Sequence, residues 1–177
     1  MVQAARRNVA DAAARFQVCS FEDFADSGPF DLIVSATTFH WVDPRVGLAK
    51  AARLLRPGGW LALLTTGERY PEPLQSRLRD LWIRYSRQSG EWPGHPAWLT
   101  ALRETELFGA TVEASHTRPL RLAAETVIGV ERTRATFLSY TEQDQAGFTA
   151  DLKALLVPGS HIGLIQETFL AMAPTAA

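Results

Sequence analysis

FDLIVSATTFHWVDPRVGLAKAARLLRPGGWLAL, residues 30–63, is the stretch on which the reading of the whole chain turns. Phe30 to Ser35 is rich in branched apolar residues without alternation, the pattern of a strand covered on both faces, and its expected place is central in a sheet. Asp43-Pro44 supplies an N-cap oxygen followed by the residue best preorganised for a first helical position. Val46, Ala49, Ala52 or Arg53, and Leu55 continue as an apolar stripe until Arg56-Pro57-Gly58-Gly59 stops the helix, and Trp60 to Thr65 reads as a second buried strand. Strand, capped helix, glycine stop and strand make a βαβ unit, whose crossover joins parallel strands and is almost always right-handed.

Upstream, Val2, Ala5, Val9 and Ala12 or Ala13 fall on one face of a helix over Val2 to Arg15. Phe16 to Cys19 reads as a short strand, and Asp26-Ser27-Gly28-Pro29 as the reversal before Phe30. Downstream, Leu74 to Tyr85 is a helix, Gln88 to Pro96 an irregular loop, and Trp98 to Leu107 a short helix leading to Gly109. Thr111 to Ser115 and Pro119 to Leu122 are strand material around a turn or bulge. Ala124 to Tyr140 and Glu142 to Leu156 are two helices, the second opened by Thr141 and Asp144 as in a capping box. Ile162 to Met172 carries branched and aromatic residues suited to a sheet edge.

Composition narrows the class. The chain has 177 residues and a formal charge of −1, with 46% hydrophobic and 21% charged residues, as in one soluble globular domain. Its arginines are dispersed rather than gathered in a stripe, which argues against nucleic acid as a partner. No apolar run is long enough to span a bilayer and no secretory signal opens the chain, so a membrane partner is not expected and a cytoplasmic location is. Cys19 is the single cysteine; an intramolecular disulfide and a cysteine metal cage are thereby excluded, and a buried, inert thiol is expected. There is no Gly-x-Ser-x-Gly elbow and no His-Glu-x-x-His helix, and His95, His116 and His161 read as surface residues without ligand spacing.

The run Phe30 to Pro44, with its Phe39-His40-Trp41 segment, followed by Leu54-Leu55-Arg56-Pro57-Gly58-Gly59-Trp60-Leu61-Ala62-Leu63, resembles the class I S-adenosylmethionine-dependent methyltransferases. It is most similar to the type 11-like, small-molecule subgroup that has a His-Trp pair after the fourth strand. The resemblance covers most of the chain and weakens after about Leu107. It implies an α/β, Rossmann-like, mostly parallel sheet with a C-terminal helical cap and edge strand. Residues 1–87 would supply the cofactor-side βα units of a partial domain, and residues 88–177 the substrate cap and C-terminal strands. The implied cofactor is S-adenosylmethionine, the implied partner a small-molecule methyl acceptor, and a homodimer is left open.

Site residues carry over by position. Ser20 and Phe21 match the segment that the family places against the adenine ring; an acidic residue often stands at the Ser20 position, and Glu22 or Asp23 either takes that part or is a solvated loop charge. Ser35 and Ala36 match the end of the fourth strand, beside the methionine moiety, where small side chains allow close approach. His40 and Trp41 match the pair at the start of the next helix, near the meeting point of cofactor and substrate. His40 is the candidate base. Trp41 is either an aromatic contact to the cofactor's sulfonium or a core residue under the Asp43 helix, with His40 then a polar cap. Trp82, Tyr85, Trp92 and Trp98 are substrate-facing or core.

The family's glycine-rich turn after the first strand, and the acidic residue after the second, have no counterpart here; no glycine precedes Gly28. Relative to the family order 3-2-1-4-5-7-6, the resemblance implies a chain truncated at its N-terminus and lacking the first two strands. Phe16 to Cys19 then either moves beside Phe30 to Ser35 or leaves that strand as an exposed edge. Weak cofactor binding and impaired activity are the expectation, with a non-catalytic remnant that binds or dimerises as the alternative.

Overall fold

The computed structural model describes residues 2–9, 13–25, 28–86 and 97–176. Helix α1 spans Val2–Asn8, strand β1 Phe30–Ala36, the 3-10 turn η1 Phe39–Trp41, and helix α2 Pro44–Leu54. Strand β2 is Leu55–Arg69, helices α3 and α4 are Leu74–Ser86 and Ala97–Glu104, and β3 is Val112–Ala123. Helices α5, α6 and α7 are Ala124–Arg132, Ala135–Leu138 and Glu142–Leu155, and β4 is His161–Pro174. The strands pair in the order β1-β2-β4-β3.

The strand–helix–strand succession forms as expected, but α2 ends at Leu54 and β2 begins at Leu55, so Arg56-Pro57-Gly58-Gly59 lies within the strand rather than stopping the helix. Asp43 accepts hydrogen bonds from the backbone N–H groups of Arg45 (2.9 Å) and Val46 (3.2 Å), with Pro44 at the first helical position. Thr141 caps α7 in the same way, its hydroxyl accepting from the Asp144 N–H at 3.2 Å. The buried face of α2 differs from the expected stripe, however. Gly47, Leu48, Lys50, Ala51 and Leu54 face inward while Val46 is 52% exposed. Alanines carry little amphipathic information, and the two leucines set the rotation of the helix.

Three strand expectations are corrected. Phe16–Cys19 forms no strand; Val18 is 82% exposed and Cys19 is exposed rather than buried. Among the described residues no strand pairs with that segment, and the Phe16 carbonyl accepts instead from Arg6 Nη2 at 2.7 Å. Instead of a central position, β1 takes the end of the strand order, and Leu32 and Val34 stand 49% and 55% exposed. Last, β4 lies inside the sheet and β3, with a nearly continuous exposed pattern, is the other edge. The sheet is mixed rather than mostly parallel: Gly59 pairs with Thr175 and Thr66 with Thr168, and Phe108 bridges Thr175 while Arg118 meets Gln166, so β4 runs against both neighbours. A strand's hydrophobic pattern is the same read in either direction, so its polarity was not legible.

The contacts divide the chain into two compact units. One comprises Met1–Leu63, Pro96–Val112 and Ala171–Ala177. In it α2 packs on α4, burying Leu48, Leu54, Leu61, Leu99 and Leu102. The other comprises Leu64–His95 and Glu113–Leu170. There α7 packs on α3 and α5 around fully buried Phe148, with the rings of Trp82 at 4.6 Å, Phe137 at 5.5 Å and Tyr85 at 5.6 Å. The expected single helix Ala124–Tyr140 breaks at Thr133-Arg134, where Arg134 turns to hold the buried Glu131 carboxylate (2.7 Å) and Glu68 (3.0 Å). Trp82 Nε1 also donates to Glu131 at 3.0 Å. Burial pushes the Tyr70 hydroxyl far above the ordinary phenol range, and the neighbouring Glu131 and Glu68 push it further. The expected loop Gln88–Pro96, with Trp92 and His95, lies outside the described residues. Among those described, no helix is long and apolar enough to cross a membrane, and no cluster of metal-ligating side chains is present.

Candidate functional site

The residues expected to meet the cofactor all belong to the first unit and gather around η1. Ser35, at the end of β1, shares a hydroxyl–hydroxyl hydrogen bond with Thr38 at 2.8 Å. Between them, Thr37 takes a left-handed backbone with φ +55°. A β-branched residue is rarely found there, and such strain concentrates at functional turns. The turn stands at the carboxyl end of a crossover-linked strand, the edge at which open α/β sheets bind ligands.

The aromatic run Phe39-His40-Trp41 divides its labour differently from either sequence reading. Phe39, 6% exposed, is the residue that packs under α2. Gly47 makes room for it: a Cβ there would lie 2.8 Å from Cζ of Phe39 and 2.7 Å from Cγ1 of Val42. Trp41 is 68% exposed, and its ring and that of exposed His40 lie 4.8 Å apart, tilted by 44°. Trp41 is therefore not a core residue under the helix. His40 does not cap it either, since Asp43 does.

On the preceding loop, Ser20 closes a local turn: its hydroxyl donates to the Asp23 carboxylate at 2.8 Å and accepts from the Asp23 N–H at 3.0 Å. Phe21 is half-buried, its ring 6.4 Å from that of Phe39. The structure thus links the Phe21 loop to η1 through Phe39, and η1 to the end of β1 through Thr38. Sequence reasoning missed Lys50, whose buried ammonium joins this loop to α2. A lysine falling one turn after Gly47 and one before Leu54 was the available signal. Among the aromatics considered for substrate, Trp98 is 4% exposed and belongs to the core, and Trp82 and Tyr85 pack against Phe148. His116 and His161 are exposed, as expected.

Comparison with known proteins bears on the fold. Residues 1–63 match the family described as a methyltransferase domain. No curated protein matches the chain. Among solved structures, a protein proposed as a type II methyltransferase from Anaeromyxobacter dehalogenans superposes with a TM-score of 0.64 at 18% identity, covering 96% of this chain and 75% of its own. A protein proposed as a methyltransferase from Bacillus halodurans C-125 gives 0.55 at 14% identity, covering 99% and 77%. The YcgJ protein of Bacillus subtilis gives 0.52 at 17% identity, covering 99% and 76%. The chain shares the α/β fold of these solved structures.

Proposed function

We propose that this chain serves S-adenosylmethionine-dependent methyl transfer to a small organic molecule, with Ser20, Phe21, Ser35, Ala36 and Trp41 against the cofactor and His40 as base. The observation that carries the reading is the convergence on η1: a strained turn after β1, an exposed His40-Trp41 pair, and Phe21 held beside Phe39. The residues fit such a ligand chemically. Phe21 offers an aromatic ring to a purine, Ser35 and Ala36 are small enough for close approach, and exposed Trp41 suits a cation. When bound, the cofactor supplies an electrophilic methyl group on a sulfonium. His40, within the exposed pair, accepts a proton from a hydroxyl or amine acceptor. Holding the acceptor in line supplies much of the remaining rate.

The same residues argue for weak binding by this chain alone. No glycine-rich turn is present before Gly28, and every expected contact except Phe21 and Ser35 is exposed. S-adenosylhomocysteine is expected to bind with a Kd on the order of 1 mM, about 4 kcal/mol, and to change the emission of Trp41. The check is a fluorescence titration of the chain beside Trp41→Phe. A nanomolar Kd, or an emission change that survives Trp41→Phe, overturns the assignment.

The open side of β1 favours a second reading, a binding or dimerisation module. Leu32 and Val34 are exposed on a strand with no partner on that side among the described residues, the kind of edge that recruits another strand. On this reading the chain sediments as a dimer and Val34→Lys sediments as a monomer. A monomeric parent chain removes it.

A further inference from the structure

Lys50 and Glu131 are the charged side chains buried among the described residues. Glu131 sits in a network of donors on its own unit; Lys50 has no carboxylate partner among the described residues. Its ammonium donates instead to the backbone carbonyls of Glu22 at 2.6 Å and Phe24 at 2.7 Å, and stands 5.7 Å from the centroid of the Phe21 ring. All three contacts fall on one loop, 26 to 29 residues away in sequence. We propose that Lys50 is a positioning residue that clamps the Phe21–Phe24 loop to α2 and so presents the Phe21 ring to the adenine end of the cofactor. The proposal rests on the methyl-transfer reading for its ligand, but not for the clamp itself.

The physical case is one of matched valence. An ammonium has three donors; two are spent on carbonyls on either side of Asp23, and the third direction is available to the ring face. A buried ammonium without an anion is costly unless its protons are satisfied in this way. Within the loop, the Ser20–Asp23 bonds and the Phe24 N–H to the Phe21 carbonyl at 3.3 Å hold its shape, its rings lie against Phe39 and Phe30, and Lys50 supplies its hydrogen bonds to α2. The packing of α2 does not depend on it, being supplied by Leu48, Ala51 and Leu54. A ring fixed before the ligand arrives spares the ordering cost that weakens flexible sites.

Hydrogen exchange on the full chain tests the clamp without any ligand. In Lys50→Met, amides of residues 20–25 are expected to exchange about tenfold faster while α2 stays protected, and Lys50→Arg, which keeps the charge, recovers part of the protection. Unchanged exchange in Lys50→Met overturns the clamp; should that variant not fold, Lys50→Gln, which also removes the charge, carries the same comparison. The ligand arm uses adenosine and S-adenosylhomocysteine. An equal loss of affinity for both in Lys50→Met, about fivefold or more, places the effect at the adenine end. Faster exchange with no change in either affinity leaves the clamp standing and overturns the assignment of Phe21 to adenine.

Discussion

Glu131→Ala is expected to lower the stability of the chain by about 3–5 kcal/mol, read as a shift in the urea midpoint. The carboxylate is 1% exposed and accepts from Arg134 Nε at 2.7 Å, Arg134 Nη2 at 2.9 Å and Trp82 Nε1 at 3.0 Å, with Tyr70 Oη at a longer 3.5 Å. Burial works to push the Arg134 guanidinium down, yet Glu131 and Glu68 hold it above its ordinary value. Removing Glu131 leaves that cation with Glu68 alone and the indole N–H without an acceptor, and a buried donor left unsatisfied costs more than the bond it made contributed. Because natural domains are stable by about 5–15 kcal/mol, the loss is a large share of the total. The double variant Glu131→Leu with Arg134→Met is expected to cost less than the sum of the two single variants, since neither charge is then left alone. A Glu131→Ala cost under about 1 kcal/mol, the level of an exposed pair, would show that the network carries no such weight.

The second large effect is expected at Gly28. Its φ is +68°, and a Cβ built on it would lie 2.4 Å from the carbonyl oxygen of Leu54, which is backbone and cannot swing aside. Gly28→Val therefore meets two costs at once: a left-handed β-branched residue, about 1–3 kcal/mol, and displacement of the end of α2 from the start of β1. Gly58 supplies the control. It has φ +70° with nothing within 4 Å of its Cβ, so Gly58→Val meets the conformational cost alone. Thermal melts of both should place Gly28→Val several degrees below Gly58→Val, or leave it without a cooperative transition. Equal melting points would mean that the close approach to Leu54 is relieved at no cost. The consequence reaches the candidate site, because this turn launches the strand that ends at Ser35 and Ala36.

Both variants act through features of different legibility. Gly28 was readable as part of a reversal, since Asp-Ser-Gly-Pro is turn chemistry whatever surrounds it. Glu131 was not: one acidic residue in an amphipathic helix looks like surface until Arg134, three residues on, turns back to it and Glu68 and Trp82 are brought in from other parts of the chain. The candidate site divides in the same manner. Ser35, Ala36, His40 and Trp41 were located by motif, and the strand–turn–helix that carries them followed from local spacing. That Phe39 rather than Trp41 enters the core depended on Gly47 leaving room for a ring, a tertiary fact.

From sequence alone came the elements whose causes are local: the Asp43-Pro44 start of α2, the Thr141 cap of α7, α3 from its periodicity, and the strand–helix–strand succession around residues 30–63. The resemblance carried by that stretch also led to the fold. Tertiary structure alone decided which elements have neighbours. Strand β1 reads as buried because branched apolar residues look alike in the centre of a sheet and at an unprotected end. Phe16–Cys19 reads as a strand because the pattern does not say whether a partner exists. The burial of Lys50 was not legible because its acceptors, the carbonyls of Glu22 and Phe24, are backbone atoms that leave no mark in the amino-acid pattern. Local interactions are written into residue type and spacing, whereas pairing, burial and polarity belong to contacts between distant segments.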